Sequence, residues 1–254
     1  MVDIKERIAD ALYDKLGWRL DFLKYYCTAK LSKLDKTCWA LSKLFVEKEI
    51  PNLSYDLSWN TSVKTPFYKC YSKPFVPTSI TGSAMDGARL NVGGAQGGGQ
   101  AKELGLIAQK RGALYFALEA DTAKLEAHGR YVTAIDKRRK IAQIDRYLSK
   151  NPNEAIYEIT SLQEFDVVDF DKAIQGLEKQ CDIDKYLSPT DQMNGEWSSL
   201  NYPAPVQLLS RWLTDQSGFN GILYDSTVDQ GKRNIVWFAL DDLMGSKIFQ
   251  HREL

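Results

Sequence analysis

The chain has 254 residues, of which 44% are hydrophobic and 26% charged, and this composition is typical of a globular protein with a substantial core. Lysine plus arginine and aspartate plus glutamate each total 33, so no overall charge draws the chain to nucleic acid or anionic lipid. The first residues alternate charged with apolar side chains, and no apolar run approaches a membrane span in length. We therefore expect a cytoplasmic protein with neither a membrane nor a nucleic-acid partner.

Cysteine and histidine are too sparse to predict a metal site. The four cysteines lie far apart without a Cys-x-x-Cys pair, and scattered single cysteines are usually small buried side chains. The two histidines are His128 and His251. Zinc sites and Ser-His-Asp triads need at least one well-placed histidine, so no metal and no triad are expected.

The first fifty residues predict a helical hairpin. Apolar residues recur at helical spacing at Ile4, Ile8 and Leu12, and the same spacing returns over 31–45. Pro51 ends this pattern, and the Asn, Ser and Pro residues that follow it are typical of a connector. We expect an α-helical N-terminal region with its connector over 1–60 and a second domain over 61–254.

Short strands and helices are mixed in the rest of the chain. Strands are predicted at 67–71, 113–118, 154–159, 165–170, 222–224 and 235–238, and helices at roughly 100–111, 119–129, 135–149, 170–180 and 204–216. This mixture predicts an α+β domain and not a doubly wound sheet. The last two strands are joined by about ten residues, most of them polar, which is more than a tight hairpin needs. Ser226 stands where the first of these strands opens into that loop.

Two further segments allow two interpretations each. The glycine-rich segment 91–100 favours a mobile connector, but it directly follows Arg89 and could instead be a flap beside a ligand site. It lacks the Gly-Lys-Ser or Gly-Lys-Thr of a Walker loop. The predicted helix 134–150 is rich in lysine and arginine. A solvated face is the usual explanation of such a run, and recruitment of an acidic partner is the alternative.

Four short segments, taken together and in this order, resemble the RES domain family of bacterial toxins, which is named for an arginine, a glutamate and a serine. They are FYKCYS from Phe67, GARLN from Gly87, ALYFALEADTAKLE from Ala113 and GILYDSTVDQGKRNIVWF from Gly221. The resemblance implies an ADP-ribosyltransferase-like mixed sheet core with flanking helices, and it implies NAD as a substrate. Some family members carry a helical N-terminal extension, which agrees with the predicted helical region.

The resemblance also assigns catalytic residues. Arg89, Glu126 and Ser226 match the arginine, glutamate and serine of the family. A fixed carboxylate such as Glu126 can stabilise the positive charge that develops on a ribose when its bond to nicotinamide breaks. Because nicotinamide leaves as a neutral group, this chemistry needs no histidine acid.

The same resemblance assigns substrate-binding residues, which are Tyr68, Lys69, Arg89, Asn91 and Tyr115. Arg89 and Lys69 are expected to hold the pyrophosphate, Tyr115 to offer an aromatic face, and Ser226 to offer a hydroxyl to the ribose or the amide. Tyr68 and Lys69 stand where the family has a Tyr-Arg pair. Lysine keeps the charge of that arginine but loses its fork of donors.

The resemblance implies a toxin that depletes NAD by hydrolysis or phosphorolysis, and two alternatives stay open. One is a transferase that moves ADP-ribose onto a protein or nucleic acid. Lys124 weakens it, because arginine-directed transferases tend to carry Glu or Gln two residues before the catalytic glutamate. The other is a non-catalytic binding module, to which Lys69 lends some weight. An antitoxin or immunity protein is expected to cover the cleft, and the toxin is expected to act in the cytosol of its own cell or of a target cell.

Overall fold

The computed structural model describes residues 55–81, 83, 88–91, 112–181, 205–239 and 247–254. The predicted N-terminal helices, the glycine-rich segment after Asn91 and the predicted helix 100–111 lie outside these residues. Within the described ranges, no helix is long and apolar enough to cross a membrane.

The described strands form one mixed sheet of eight strands. In chain order they are β1 (Asn60–Val63), β2 (Phe67–Ser72), β3 (Gly112–Ala117), β4 (Glu154–Ser161), β5 (Phe165–Asp169), β6 (Gly221–Asp225), β7 (Arg233–Ala239) and β8 (Phe249–Glu253). Across the sheet their order is β1-β5-β6-β7-β3-β2-β4-β8, and only β5 and β6 run parallel. The β2–β3 ladder is limited to Tyr68 opposite Ala117, so the sheet is weakly joined near its centre.

Four α-helices flank this sheet in the described ranges. They are α1 (Ala120–His128), α2 (Lys137–Leu148), α3 (Phe170–Cys181) and α4 (Pro205–Ser217). Helix α1 packs on β2, β3 and β4 and against α2. Helices α3 and α4 both pack on β5 and β6. The predicted α+β class, with a mixed sheet and flanking helices, is confirmed.

Strand alternation places the main hydrophobic cluster on one face of the sheet, while the other face carries polar groups among buried apolar residues. Leu114 and Phe116 of β3, with Ile235 and Trp237 of β7, belong to the buried hydrophobic core. Because successive side chains of a strand point to opposite faces, Tyr115 and Asn234 lie on the other face. Tyr224 of β6 joins them there, since it pairs in register with Asn234. Polar groups of three neighbouring strands therefore share one surface.

Candidate active site

A cavity of about 310 Å³ lies between these polar groups and helix α1, at the lower end of the volumes of small-molecule sites. Its lining residues come from β2, β3, α1, the strands β6 and β7, and the turn 88–91. They are Tyr68, Lys69, Cys70, Ala88, Arg89, Tyr115, Phe116, Ala117, Ala123, Glu126, Ala127, Tyr224 and Asn234. The cavity thus combines one carboxylate, two cationic side chains and three tyrosines.

Glu126 is fixed on the cavity wall by three donors from three separate segments. Asn234 Nδ2 donates to its Oε1 at 2.6 Å, and Ser226 Oγ donates to the same oxygen at 2.8 Å. Arg89 Nη1 approaches the other oxygen, Oε2, at 3.3 Å. Helix α1 also buries Thr122 and Leu125, so it cannot rotate without losing its packing. The carboxylate is therefore held in one orientation.

Ser226 acts through Glu126 in this arrangement. Its Oγ accepts hydrogen bonds from the backbone N–H groups of Asp229, at 3.1 Å, and Val228, at 3.3 Å. A hydroxyl has a single proton, and with its lone pairs occupied that proton is directed to Glu126. Ser226 is buried and does not belong to the described cavity lining. Ser226 thus follows directly after strand β6, where its hydroxyl both accepts from the following turn and orients the Glu126 carboxylate.

The loop after Ser226 is anchored by a buried aspartate. Asp229 accepts a hydrogen bond from Thr122 Oγ1 at 2.6 Å, and Lys137 Nζ lies 2.6 and 2.8 Å from its two carboxylate oxygens. Thr122 belongs to α1 and Lys137 begins α2. Lys137 therefore has a structural partner, while Arg138 and Arg139 beside it are exposed. One buried carboxylate ties the loop to both helices.

Arg89 is presented by a short turn with several supports. Ala88 and Asn91 form a β-bridge, and Gln207 Nε2 of α4 donates to the carbonyl oxygens of both residues, at 2.7 and 3.0 Å. Asn91 is buried, and its Nδ2 donates to the Ser83 carbonyl at 3.0 Å. Asn91 therefore shapes the turn and is not among the residues that line the described cavity. Its assignment to substrate binding stays a prediction.

The aromatic and cationic wall is formed mainly by β2 and β3. The ring of Tyr115 lines the cavity, and its hydroxyl accepts the Leu90 N–H at 2.9 Å. Lys69 Nζ donates to the Pro77 carbonyl at 2.9 Å and lies 4.2 Å from the centre of the Tyr71 ring. Burial lowers the pKa of Lys69 to about 8. An ammonium has three N–H groups, so contact with an anion in the cavity is compatible with the bond to Pro77.

Two lining residues of the closing strands, Asn234 and Tyr224, were not singled out from the sequence. Burial, followed by the charge of Glu126, raises the pKa of the Tyr224 phenol well above its usual value. Tyr224 therefore stays a neutral hydroxyl beside the carboxylate. A signal in the sequence could have found both residues. Each has a polar group, stands near one end of the long loop and alternates with apolar residues of a buried strand.

A family model described as RES domain matches residues 62–253. The chain belongs to the RES domain family. No curated protein matches the chain. Among solved structures, the crystal structure of the M. tuberculosis MbcT-MbcA toxin-antitoxin complex is similar, at 15% identity and a TM-score of 0.45, over 77% of this chain and 86% of that one. The family predicted from four short segments is thus confirmed, and the family match extends into β8.

The structure brings five of the seven predicted site residues of this RES domain into one cavity. They are Tyr68, Lys69, Arg89, Tyr115 and Glu126. Ser226 and Asn91 lie just behind it, where they support Glu126 and the Arg89 turn. The roles assigned to all seven in binding and catalysis stay predictions.

Proposed function

We propose that this RES domain is a toxin that cleaves NAD at the bond between nicotinamide and ribose. The observation that supports this function best is the fixed carboxylate of Glu126. It faces a cavity with aromatic walls, and Arg89, Ser226 and Asn234 hold it from three sides. A carboxylate held in this way needs little reorganisation when positive charge develops next to it.

The arrangement suits cleavage of an N-glycosidic bond to a positively charged ring. As the bond breaks, its electron pair passes to the ring nitrogen, so nicotinamide leaves neutral and positive charge develops on the ribose. Glu126 would stabilise that charge. Water or phosphate then forms the new bond to the same ribose carbon, and a water molecule gives its proton to a base or to solvent. No group in this sequence has to protonate the leaving ring.

The surrounding groups fit the rest of the substrate. Arg89 is partly exposed in the cavity and has a planar fork of donors, while Lys69 of strand β2 lines the same cavity. Together they would neutralise a pyrophosphate. Tyr68 and Tyr115 offer aromatic faces on which a nicotinamide or adenine ring can stack.

The transferase alternative receives less support from the geometry. Lys124, two residues before Glu126, lies 2.7 Å from a carboxylate oxygen of Asp145 and 3.3 Å from one of Asp121. Its side chain thus joins α1 to α2 and is not part of the described cavity lining. A side chain that activates a macromolecular acceptor is therefore missing from that position. A non-catalytic module, in turn, would have no need for three donors on one carboxylate.

The test is chromatography of NAD after incubation with the purified full chain, in phosphate buffer and in phosphate-free buffer. The Glu126→Gln variant keeps the shape of the side chain but removes its charge, and we expect nicotinamide release to fall about 100-fold or more. Glu119→Gln is the matched control, because Glu119 lies at the start of the same helix and pairs with Lys232 at the surface. Intact NAD with folded parent protein, or full activity of Glu126→Gln, would refute the proposal.

A cell that makes an enzyme of this kind needs protection from it. We therefore propose that an antitoxin or immunity protein covers the cavity, as the family resemblance implies, and that the toxin acts in the cytosol, where NAD is abundant. Expression of the parent chain alone should arrest growth and lower cellular NAD, whereas the Glu126→Gln variant should do neither. Unchanged NAD in arrested cells would contradict depletion as the cause.

A further inference from the structure

Three side chains with metal-binding atoms meet beside the cavity, outside the group that holds Glu126. Cys70 Sγ of β2 lies 3.4 Å from His128 Nε2 at the end of α1. The same nitrogen lies 2.9 Å from Glu154 Oε2 at the start of β4. All three atoms lie within 4.8 Å of one another, and all three residues are partly buried. Residues far apart in the chain thus place sulfur, nitrogen and oxygen around one point.

Hydrogen bonding does not satisfy this arrangement fully. A neutral imidazole carries at most one proton on Nε2, yet that nitrogen faces both a thiol and a carboxylate. One cation in place of the proton would contact all three ligand atoms. With one thiolate and one carboxylate as ligands, a divalent ion also gives a site without net charge, which favours its partial burial.

The distance between Cys70 and His128 agrees with that of a tetrahedral zinc site, and the distance between His128 and Glu154 requires a small shift. Zinc bonds of about 2.3 Å to sulfur and about 2.0–2.2 Å to nitrogen or oxygen place neighbouring ligand atoms about 3.3–3.6 Å apart. The separation of Cys70 Sγ from His128 Nε2 is 3.4 Å and falls in this range. The 2.9 Å between His128 and Glu154 is shorter, so the carboxylate has to withdraw by a few tenths of an ångström when the ion replaces the proton.

Neighbouring side chains support the orientation of these ligands. The Tyr147 ring packs against the His128 ring with centroids 5.1 Å apart, and the Tyr147 hydroxyl lies 3.5 Å from the second oxygen of Glu154. Asn151 Nδ2 donates to that hydroxyl at 2.7 Å. Contacts of this kind behind the ligands are common in metal sites, where they hold the ligating rings and carboxylates in place.

We propose that Cys70, His128 and Glu154 bind a Zn²⁺ ion. Thiolate and imidazole ligands favour zinc over magnesium and calcium, which prefer oxygen. Binding breaks the S–H bond of Cys70, whose proton passes to solvent, and moves the imidazole proton of His128 from Nε2 to Nδ1. The thiolate, the neutral imidazole and the carboxylate then form three bonds to zinc, with water as the fourth ligand. The ion joins β2, the end of α1 and β4, so it stabilises the wall of the cavity. This site does not depend on the proposed NAD cleavage.

The first test is the melting temperature of the metal-stripped full chain with added zinc chloride. A ligand that binds only the folded state raises the melting temperature, so zinc should raise it while magnesium and calcium should not. Cys27, Cys38 and Cys181 are replaced by serine in the background chain, since they are the other sources of thiolate. Absence of a zinc-dependent rise in this folded background would overturn the proposal.

The second test uses cobalt(II) as a spectroscopic substitute for zinc. The background chain should gain a thiolate-to-cobalt absorption band and the intense visible bands of tetrahedral cobalt. Cys70→Ser and His128→Asn should lose them, and Glu154→Gln should weaken affinity by about 10-fold or more. His251→Asn, on the exposed strand β8, is the matched control and should keep both bands. Bands that persist in Cys70→Ser would refute the site, and circular dichroism shows that each variant is folded.

Discussion

The two partners of the Asp229–Lys137 ion pair differ in burial, and this difference predicts which single substitution destabilises the protein more. The side chain of Asp229 is 3% exposed, whereas that of Lys137 is 45% exposed. After Asp229→Asn the lysine can turn into water, and the new amide oxygen still accepts from Thr122. After Lys137→Met the carboxylate stays buried with the Thr122 hydroxyl as its remaining side-chain donor in the described structure. Removing the lysine should therefore destabilise the protein more than replacing the aspartate.

The magnitudes follow from the burial of each partner. Leaving a buried charge without its partner costs about 3–5 kcal/mol, and Lys137→Met should lie near the lower limit because the Thr122 hydrogen bond remains. Asp229→Asn exchanges a charged hydrogen bond for a neutral one, at a cost of about 1–2 kcal/mol. In the double variant no buried charge is left, so its loss should be smaller than the sum of the single losses by about 1 kcal/mol or more.

Urea unfolding of the parent, the two single variants and the double variant measures this cycle. Lys232→Met is the matched control, because Lys232 lies in the same loop but forms an exposed pair with Glu119. Exposed pairs contribute little to stability, so this variant should unfold at nearly the same urea concentration as the parent. Asp229→Asn should also slow nicotinamide release about 10-fold, since the loop that orients Ser226 is loosened. Additive losses, or a larger loss for Asp229→Asn than for Lys137→Met, would refute this reasoning.

Three further predictions test other contacts. Ser226→Ala should reduce kcat for nicotinamide release about 10-fold with little change in KM, because it removes a donor from Glu126; an unchanged kcat would contradict this role. Arg89→Lys should raise KM for NAD about 10-fold, since it loses the fork of donors, and steady-state kinetics will measure this. Gly176→Ala should lower the free energy of unfolding by about 1–3 kcal/mol, because the added Cβ would lie 2.5 Å from the Trp59 side chain. Gly129→Ala is the control: its Cβ would lie 3.7 Å from the nearest atom, so the free energy should change by less than about 0.5 kcal/mol. Urea unfolding measures both changes.

The sequence predicted the inner strands of the sheet and missed its two outermost ones. Strands β3 to β7 each carry several buried side chains, and β2 is rich in aromatic residues, whereas β1 has no fully buried residue and β8 has only Phe249 buried. These two strands end the sheet on either side. Strands at an edge are short and polar on most positions, which hides them from a pattern based on hydrophobic burial.

The sequence predicted the site residues that belong to a family motif. It did not predict the supporting residues, whose roles depend on contacts between distant parts of the chain. Arg89, Glu126 and Ser226 were recognised from the resemblance, although their mutual contacts were not. The hydrogen bond from Thr122 to Asp229 spans 107 positions, and that from Gln207 to Ala88 spans 119. No local pattern reports such pairs, because each residue alone resembles an ordinary surface side chain.

The length of the loop between β6 and β7 follows from these contacts. A two-residue turn would be enough to join the strands. It would be too short to hold the Ser226 hydroxyl, the two N–H groups that donate to it and the buried Asp229 carboxylate. Ser226 N donates to the Lys232 carbonyl, Lys232 N donates to the Asp229 carbonyl, and Gly231 takes a φ of +75° that favours glycine. The extra residues thus form a closed turn whose first residue orients Glu126 and whose fourth contacts α1 and α2. A loop that looks too long for a hairpin is, in this protein, the support of the carboxylate.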